Sequence, residues 1–463
     1  MILNIDPGNV AGLPDAERAR LSKLISVYQS HAAANDTKKR YYEGKVSLGE
    51  VNLGIALPDG MARLEIGCAW GAKCVDVLAA RSMLDGFVAA GGQSVELLDR
   101  IVTANRLLAE YPRATRDELK LGCTFATLSG DDSMGCKIRF HSPATAAAVW
   151  DGDKGRIDYG MAIIDAAPDN SKAETWSPNL IYLYTDEAVW ALIRQDNRWS
   201  ATEYPHKMGR PLMEPLIWNA TSDKPFGRSR IKEPVRRLIQ GYVRTIANAT
   251  IGLEFSTAPQ KYLLGVSDEQ YEAVTSRKFR TYVGSMITST VNPETGEKPT
   301  FGQLAQGSIQ PHVDMLRTLA AQFAAATGLA VSDTGVVNDA NPTSAEALLA
   351  QNQTLVSMAE QLNAGNGDSL RTIAIMALAI AQDLRPEDLP EEQLSVMPHF
   401  RNPAMPSVAV TADAAIKIAA AREGFAQTDT FLEMIGFTQA DIRRINAQEV
   451  RTRGLALIQQ LEA

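Results

Sequence analysis

The sequence predicts an α+β chain, on three observations. Apolar residues recur at three- and four-residue steps near the N-terminus and again after about residue 228. Between these parts, residues 121–220 break into short runs rich in β-branched and aromatic residues, each bounded by Gly, Asp, Asn or Pro. A long helix–insertion–helix excursion then interrupts the middle of the chain, and no internal repeat of fixed period runs through it.

After a short extended start, residues 13–34 place Leu21, Leu24, Ile25, Tyr28 and His31 on one helical stripe, which runs on to a breaker at Gly44. The spacing predicts a second helix from Trp70 to Phe87, stopping at Gly86, and a third over 94–110. The runs GCTFATLSG, CKIRFHS, ATAAAVW, RIDYGMAIID, NLIYLYTD, AVWALIRQ and WSATEYPH predict an antiparallel meander, with Asp151–Gly155 as a hairpin loop. Residues 233–255 then carry Val235, Leu238, Ile239, Tyr242, Ile246, Ala249 and Leu253 in a helical stripe.

An insertion of roughly fifty residues follows, with strands KYLLGV and TYVGSMITST and a Pro/Gly-rich hairpin over 292–302. A helix over 310–327 comes next, closed by Gly328 where a left-handed conformation is cheap. The polar loop AVSDTGVVNDAN leads to a long helix. Asn341 as cap with Pro342 in the first turn, or Thr343 with Glu346 as a capping box, both satisfy its start. Its stripe of Ala345, Leu348, Asn352, Leu355, Ala359 and Leu362 reads either as burial within the chain or as a heptad seam against another copy. Helix resumes at 369–384, a proline-rich crossing follows, and residues 411–463 hold three helices.

The chain has 463 residues, 45% apolar and 22% charged, enough for two to four domains at ~100–200 residues each. Its net charge of −8 and pI near 5.4 exclude a dedicated cationic nucleic-acid binder. They leave room for a protein that lets DNA slide past. Four cysteines, spaced Cys68-x5-Cys74 and Cys123-x12-Cys136, offer neither a disulfide scaffold nor a CxxC pair, and read as reduced thiols. The N-terminus lacks the order of a signal peptide, and no apolar run approaches ~18–20 residues, so a soluble protein made inside a cell is expected.

Motifs for chemistry are scarce. The sequence has no P-loop, no GxGxxG after a strand, no HExxH and no Gly-x-Ser-x-Gly elbow, and its five histidines are scattered singly. Asp131–Asp132 and the set Asp151, Asp153 and Asp158 are the carboxylate candidates. The second set lacks the bidentate Glu of a calcium loop, having Ala162 at its twelfth position, and reads as a hairpin tip. One charge cluster stands out: Arg228, Arg230, Lys232, Arg236, Arg237 and Arg244 face a single acid, Glu233. It reads as a cationic surface for phosphate or another anion, or as a solvated face paired with acids elsewhere.

Several landmarks carry a family resemblance. They are Arg40-Tyr41-Tyr42-Glu43-Gly44 after the first helix, Trp70-x4-Val75-Asp76-x-Leu78-Ala79-x-Arg81-x4-Gly86-Phe87, Pro225-Phe226-Gly227-Arg228-Ser229-Arg230-Ile231, Asn341-Pro342-Thr343-Ser344-Ala345-Glu346-Ala347-Leu348, and Phe400-x-Asn402-Pro403-x3-Ser407. In this order, over almost the whole chain, the sequence resembles the portal proteins of tailed bacteriophages, in particular long-tailed phages of actinobacteria and firmicutes. Phe400 departs from the pattern, where relatives often have tryptophan.

The resemblance implies an α+β portal fold with a mixed helix/β wing, a two-helix stem, a small α/β clip, a long spine helix and a helical crown. On this chain the parts fall at 1–228 (wing), 229–255 and 310–328 (stem helices), 256–309 (clip), 329–341 (tunnel loop), 342–408 (spine helix and the rest of the wing) and 409–463 (crown). It further implies a ring of twelve copies at one capsid vertex of the virion, made in the host cytoplasm, with a channel for double-stranded DNA. The terminase large subunit, a head–tail adaptor, and major capsid and scaffolding proteins are the implied partners, with no membrane, cofactor or enzymatic activity. Twelve copies at −8 each carry −96, a background that repels DNA. The loop residues Ser332, Asp333, Thr334, Asn338, Asp339 and Asn341 are expected to face the DNA without a phosphate anchor. The basic cluster is expected to form a cationic ring in the stem or ion pairs between copies. The rivals are a metal-dependent hydrolase using Asp131, Asp132, Asp151 or Asp153, and a helical interaction scaffold.

Overall fold

The computed structural model describes residues 3, 5–46, 66–90, 95–168, 176–257, 261–265, 267, 291–292, 296, 298, 300–303, 307–336, 345–404, 408–422, 424–438, 441–442 and 444–452. Its helices are α1 (Asp15–Tyr42), α2 (Trp70–Ala79), α3 (Glu96–Ala104), α4 (Leu107–Leu121), α5 (Glu233–Thr257), α6 (Gln310–Thr327), α7 (Ala345–Gln382), α8 (Glu391–Leu394), α9 (Val408–Ala421) and α10 (Asp429–Ile435). Helix and strand together make the chain α+β.

The expected meander is present, folded into two sheets. Six strands, β1 (Val10–Ala11), β5 (Ala146–Asp151), β6 (Arg156–Pro168), β7 (Trp176–Tyr184), β8 (Ala188–Gln195) and β9 (Arg198–Pro205), lie in the order β1-β9-β8-β7-β6-β5. All neighbours are antiparallel except β1 with β9. Strands β3 (Cys123–Asp131), β4 (Gly135–His141) and β10 (Met213–Ile217) form the second sheet, in the order β10-β3-β4. The Asp151–Gly155 hairpin joins β5 to β6, with Gly155 at φ 63°.

Helix α1 lays Leu21, Leu24, Ile25 and Tyr28 on the six-stranded sheet, and the Tyr28 hydroxyl donates to the Ala144 carbonyl at 2.9 Å. Asp15 and Glu17 in its first turn, and Lys39 and Arg40 in its last, match the sign of the helix dipole. At its far end α1 meets α2 closely, because a Cβ on Gly71 would collide with the Tyr41 carbonyl.

Three boundaries differ from the sequence reading. The second helix stops at Ala79, and Leu84–Val88 is instead strand β2, paired antiparallel with β13 (Met397–Phe400). The third is two helices, split where Arg106 takes a left-handed conformation at φ 52°. The Asn105 side chain secures that break, donating to the carbonyls of Ile101 (2.9 Å) and Cys136 (2.7 Å) and accepting from the Ile138 N–H (2.8 Å). The long helix α7 does not pause before 369 but runs unbroken from Ala345 to Gln382. Its stripe continues through Leu370, Ile373, Ala374 and Ala377, all buried in the core that holds the three-stranded sheet, α3 and α4. Burial of that face outweighs the weak helix propensity of Asn363-Ala364-Gly365-Asn366-Gly367.

In the insertion, β11 (Lys261–Leu264) pairs antiparallel with β12 (Thr300–Gln303), and the expected strand TYVGSMITST lies outside the described residues. The capping residues 341–344 also lie outside them. C-terminal helices form at α9, α10 and 444–452. Among the described residues no helix is long and apolar enough to cross a membrane.

Candidate functional site

Helices α5 and α6 run antiparallel at the point where the chain crosses back on itself. Val235, Ile239, Val243 and Ala247 on α5 share a core with Leu319, Ala320 and Phe323 on α6. Gly241 lets the pair close, since a Cβ there would stand 3.1 Å from a Leu319 methyl. Leu355, Ala359 and Leu362 of α7 are buried in the same core, so this part of the stripe packs within the chain and does not form a free heptad seam.

Trp70, at the start of α2, knits the crossing together. Its ring stacks on Phe323 at 4.6 Å and tilts against Tyr242 at 4.7 Å. Its indole N–H donates to the Thr334 carbonyl at 3.0 Å. Gly328 ends α6 at φ 70°, in the left-handed region the sequence predicts, and Val331–Thr334 follows as a single 3-10 turn.

The sequence-predicted loop residues divide at this turn. Ser332 is exposed and Asp333 half-buried, whereas Thr334 is buried with its hydroxyl donating to the Val331 carbonyl at 2.6 Å. Asn338, Asp339 and Asn341 lie outside the described residues.

The basic cluster also divides. Arg230 is only 6% exposed and does not stand on the face of the others. Its Nη2 donates to the Thr327 carbonyl at 2.6 Å, its Nε to the Cys74 carbonyl, and its guanidinium lies 5.7 Å from the Trp218 ring centre. A cation on the last carbonyl of α6 complements that helix end. Arg236 and Arg237 both pair with Glu233, and the Arg236 charge beside it holds that carboxyl below its usual range. Arg228 pairs with Asp223 at 3.4 Å. Lys232 and Arg244 are exposed.

The aspartates of the hydrolase reading are spent on turns. Asp131 Oδ1 accepts from the main-chain N–H groups of Ser133 (2.9 Å) and Met134 (3.0 Å), between β3 and β4. Asp151 Oδ1 accepts from those of Asp153 (3.0 Å) and Lys154 (3.1 Å), between β5 and β6. Asp132 and Asp153 are exposed beside them. Among the described residues no three metal-ligating side chains gather in one place. His141 is half-buried and its imidazole is pushed down to about 4 by desolvation. All four cysteines are free and buried, and burial lifts their thiols to about 11 or 12.

One buried polar group had no place in the sequence reading. Glu118 on α4 is fully buried and desolvation raises its carboxyl to about 8. Asn366 on α7 donates to Glu118 Oε2 at 2.9 Å and to the Tyr111 hydroxyl at 3.1 Å, and that hydroxyl also meets Ser82 Oγ at 2.8 Å. The available signal was Asn366 itself, a polar residue on the apolar stripe between Leu362 and Leu370.

Against known proteins, residues 15–453 match the family model described as phage portal protein, SPP1 Gp6-like. The portal protein of Mycobacterium phage D29 is 24% identical over 452 residues, spanning 94% of this chain and 90% of that protein. The portal protein of Mycobacterium phage L5 is 24% identical over 450 residues, spanning 94% and 89%. Among solved structures, the neck of a native gene transfer agent particle computed with C12 symmetry aligns with a TM-score of 0.44 at 13% identity, over 80% of this chain and 89% of that one. The neck of an empty particle computed with C6 symmetry gives 0.46 at 13% identity, over 83% and 96%. With the family model spanning nearly its whole length, the chain belongs to the SPP1 Gp6-like family of phage portal proteins.

Proposed function

We propose that this chain forms a ring of twelve copies at one capsid vertex, the channel through which double-stranded DNA enters and leaves the phage head. The observation that carries this reading is the match of residues 15–453 to the phage portal family model. The architecture agrees with it. A ring closes only if each copy offers two different complementary faces, and a helical pair beside two sheets supplies them.

On this reading α5 and α6 are the stem, 256–309 the clip, 329–341 the tunnel loop, α7 the spine, 1–228 with the stretch after α7 the wing, and 409–463 the crown. The clip is the docking place for the terminase large subunit during packaging and for the head–tail adaptor afterwards. Capsid and scaffolding proteins meet the wing. The protein itself is non-enzymatic, and the hydrolysis of ATP belongs to terminase. Trp70 and Arg230 together fix the end of α6 from which the tunnel loop departs, so the loop starts from a rigid base. Micrographs of the purified protein test the reading: rings with a central pore wide enough for duplex DNA are expected, and single compact particles would refute it.

A further inference from the structure

Arg230 is a buried cation with no counter-charge among the described residues. Of its five N–H groups, one on Nε and one on Nη2 are taken by the carbonyls of Cys74 and Thr327, and Nη1 has only the Met358 sulfur at 3.5 Å. Among the described residues no carboxylate lies within ion-pair distance of Arg230 or of its exposed neighbour Lys232. A buried guanidinium served by carbonyls and a thioether keeps a net positive charge, which is costly unless an anion arrives.

A cleft of about 580 Å³ opens at this point, walled by Trp218, the end of α6 at Thr327 and Gly328, and Thr354 and Met358 of α7. Arg230 and Lys232 both line it, and none of its described lining residues is acidic. Its size suits a small ligand or an inserted side chain. A DNA duplex is a rigid rod whose phosphates cannot follow a guanidinium that is 6% exposed. A carboxylate at the tip of an Asp or Glu side chain can, and the guanidinium fork matches a carboxylate in two hydrogen bonds. The chain has such groups to spare, with 54 acidic residues against 46 basic.

We propose that this cleft is an oxyanion site in which Arg230 and Lys232 receive a carboxylate side chain from a second copy of this chain. The inference rests on the ring reading above and assigns one of its contacts to named residues. The neighbouring copy thereby neutralises the charge that caps α6, so closing the ring also stiffens the base of the tunnel loop.

Zero-length carbodiimide cross-linking of rings assembled from equal parts of 15N-labelled and unlabelled protein tests this. Lys232 is expected to give a mixed-isotope link to an Asp or Glu, and the yield is expected to drop several-fold in Arg230→Met. Since Arg230→Met removes an internal cap and can fail to fold, the exposed Lys232→Glu provides a second arm. It should raise the protein concentration needed for half-assembly by about tenfold at low salt and less at high salt. Links confined to one chain, or Lys232→Glu rings that assemble like wild type, would overturn the site. Inorganic phosphate binding to intact rings with no mixed-isotope link at Lys232 would also overturn it, in favour of a free anion. Wild-type protein that never leaves the single-chain state refutes the ring reading and the site together, whereas rings lacking the link refute the site alone.

Discussion

The indole N–H of Trp70 donates to the main-chain carbonyl of Thr334 at 3.0 Å, across 264 residues of sequence. The bond ties the start of α2 to the turn that follows α6, while the Trp70 ring is wedged between Tyr242 and Phe323. Trp70→Phe keeps an aromatic wedge and leaves a buried carbonyl unpaired, at a cost of ~1–2 kcal/mol. Trp70→Ala also opens a cavity between three helices and should cost ~3–5 kcal/mol. Urea unfolding of the two variants measures both, and a Trp70→Phe protein as stable as wild type would remove the hydrogen bond from the account.

Glu118 makes stability depend on pH with a definite sign. Its carboxyl is raised from 4.5 to about 8 by desolvation, so the folded chain holds a proton that the unfolded chain releases. The stability of the protonated form is complete below about pH 4.5 and is lost as the pH rises towards 8. Glu118→Gln is neutral at every pH and keeps the acceptor for Asn366. Its advantage over wild type should therefore grow by roughly 2–4 kcal/mol between pH 5 and pH 8. Unfolding of both proteins across that range checks it, and a difference independent of pH would contradict it.

Gly71 sets the approach of α1 to α2. An added methyl meets the Tyr41 carbonyl, which belongs to a helix and has little room to shift. Gly71→Ala should cost ~2 kcal/mol or more despite the better helix propensity of alanine. Thermal unfolding reads the outcome, and a neutral or stabilised variant would show that the helices can part.

On the proposed ring reading, the loop at 329–341 repels DNA rather than holding it. Asp333→Lys combined with Asp339→Lys places cations in every copy of the loop and should slow DNA translocation several-fold at low salt, with recovery as ionic strength rises. DNA protected inside packaged heads is the measure. Packaging at the wild-type rate would show that this loop does not touch the passing duplex.

What the sequence revealed followed from local physics. Periodicity marked α1, α5, α6 and much of α7, because their buried faces repeat within a few residues. Gly328 announced the end of α6 through the one conformation that suits it there. The missed strand β2 has its partner β13 more than 300 residues onward, so nothing in Leu84–Val88 distinguishes it from the end of α2. Arg230 reads like its basic neighbours because its burial is imposed by Cys74, Thr327 and Met358, which arrive from three other parts of the chain. The polar run Asn363–Gly367 looked like a pause in the helix, and only tertiary packing of Leu370 and Ile373 carries the helix across it. The Asp151 turn was legible because an aspartate that bonds the next main-chain N–H groups acts within four residues.

The mass of the purified particle bears most directly on the central claim. Twelve copies of a 50.2 kDa chain give a particle of about 600 kDa, and native mass spectrometry should find that species at low salt. A species near 50 kDa at every concentration, folded and single, would contradict the account.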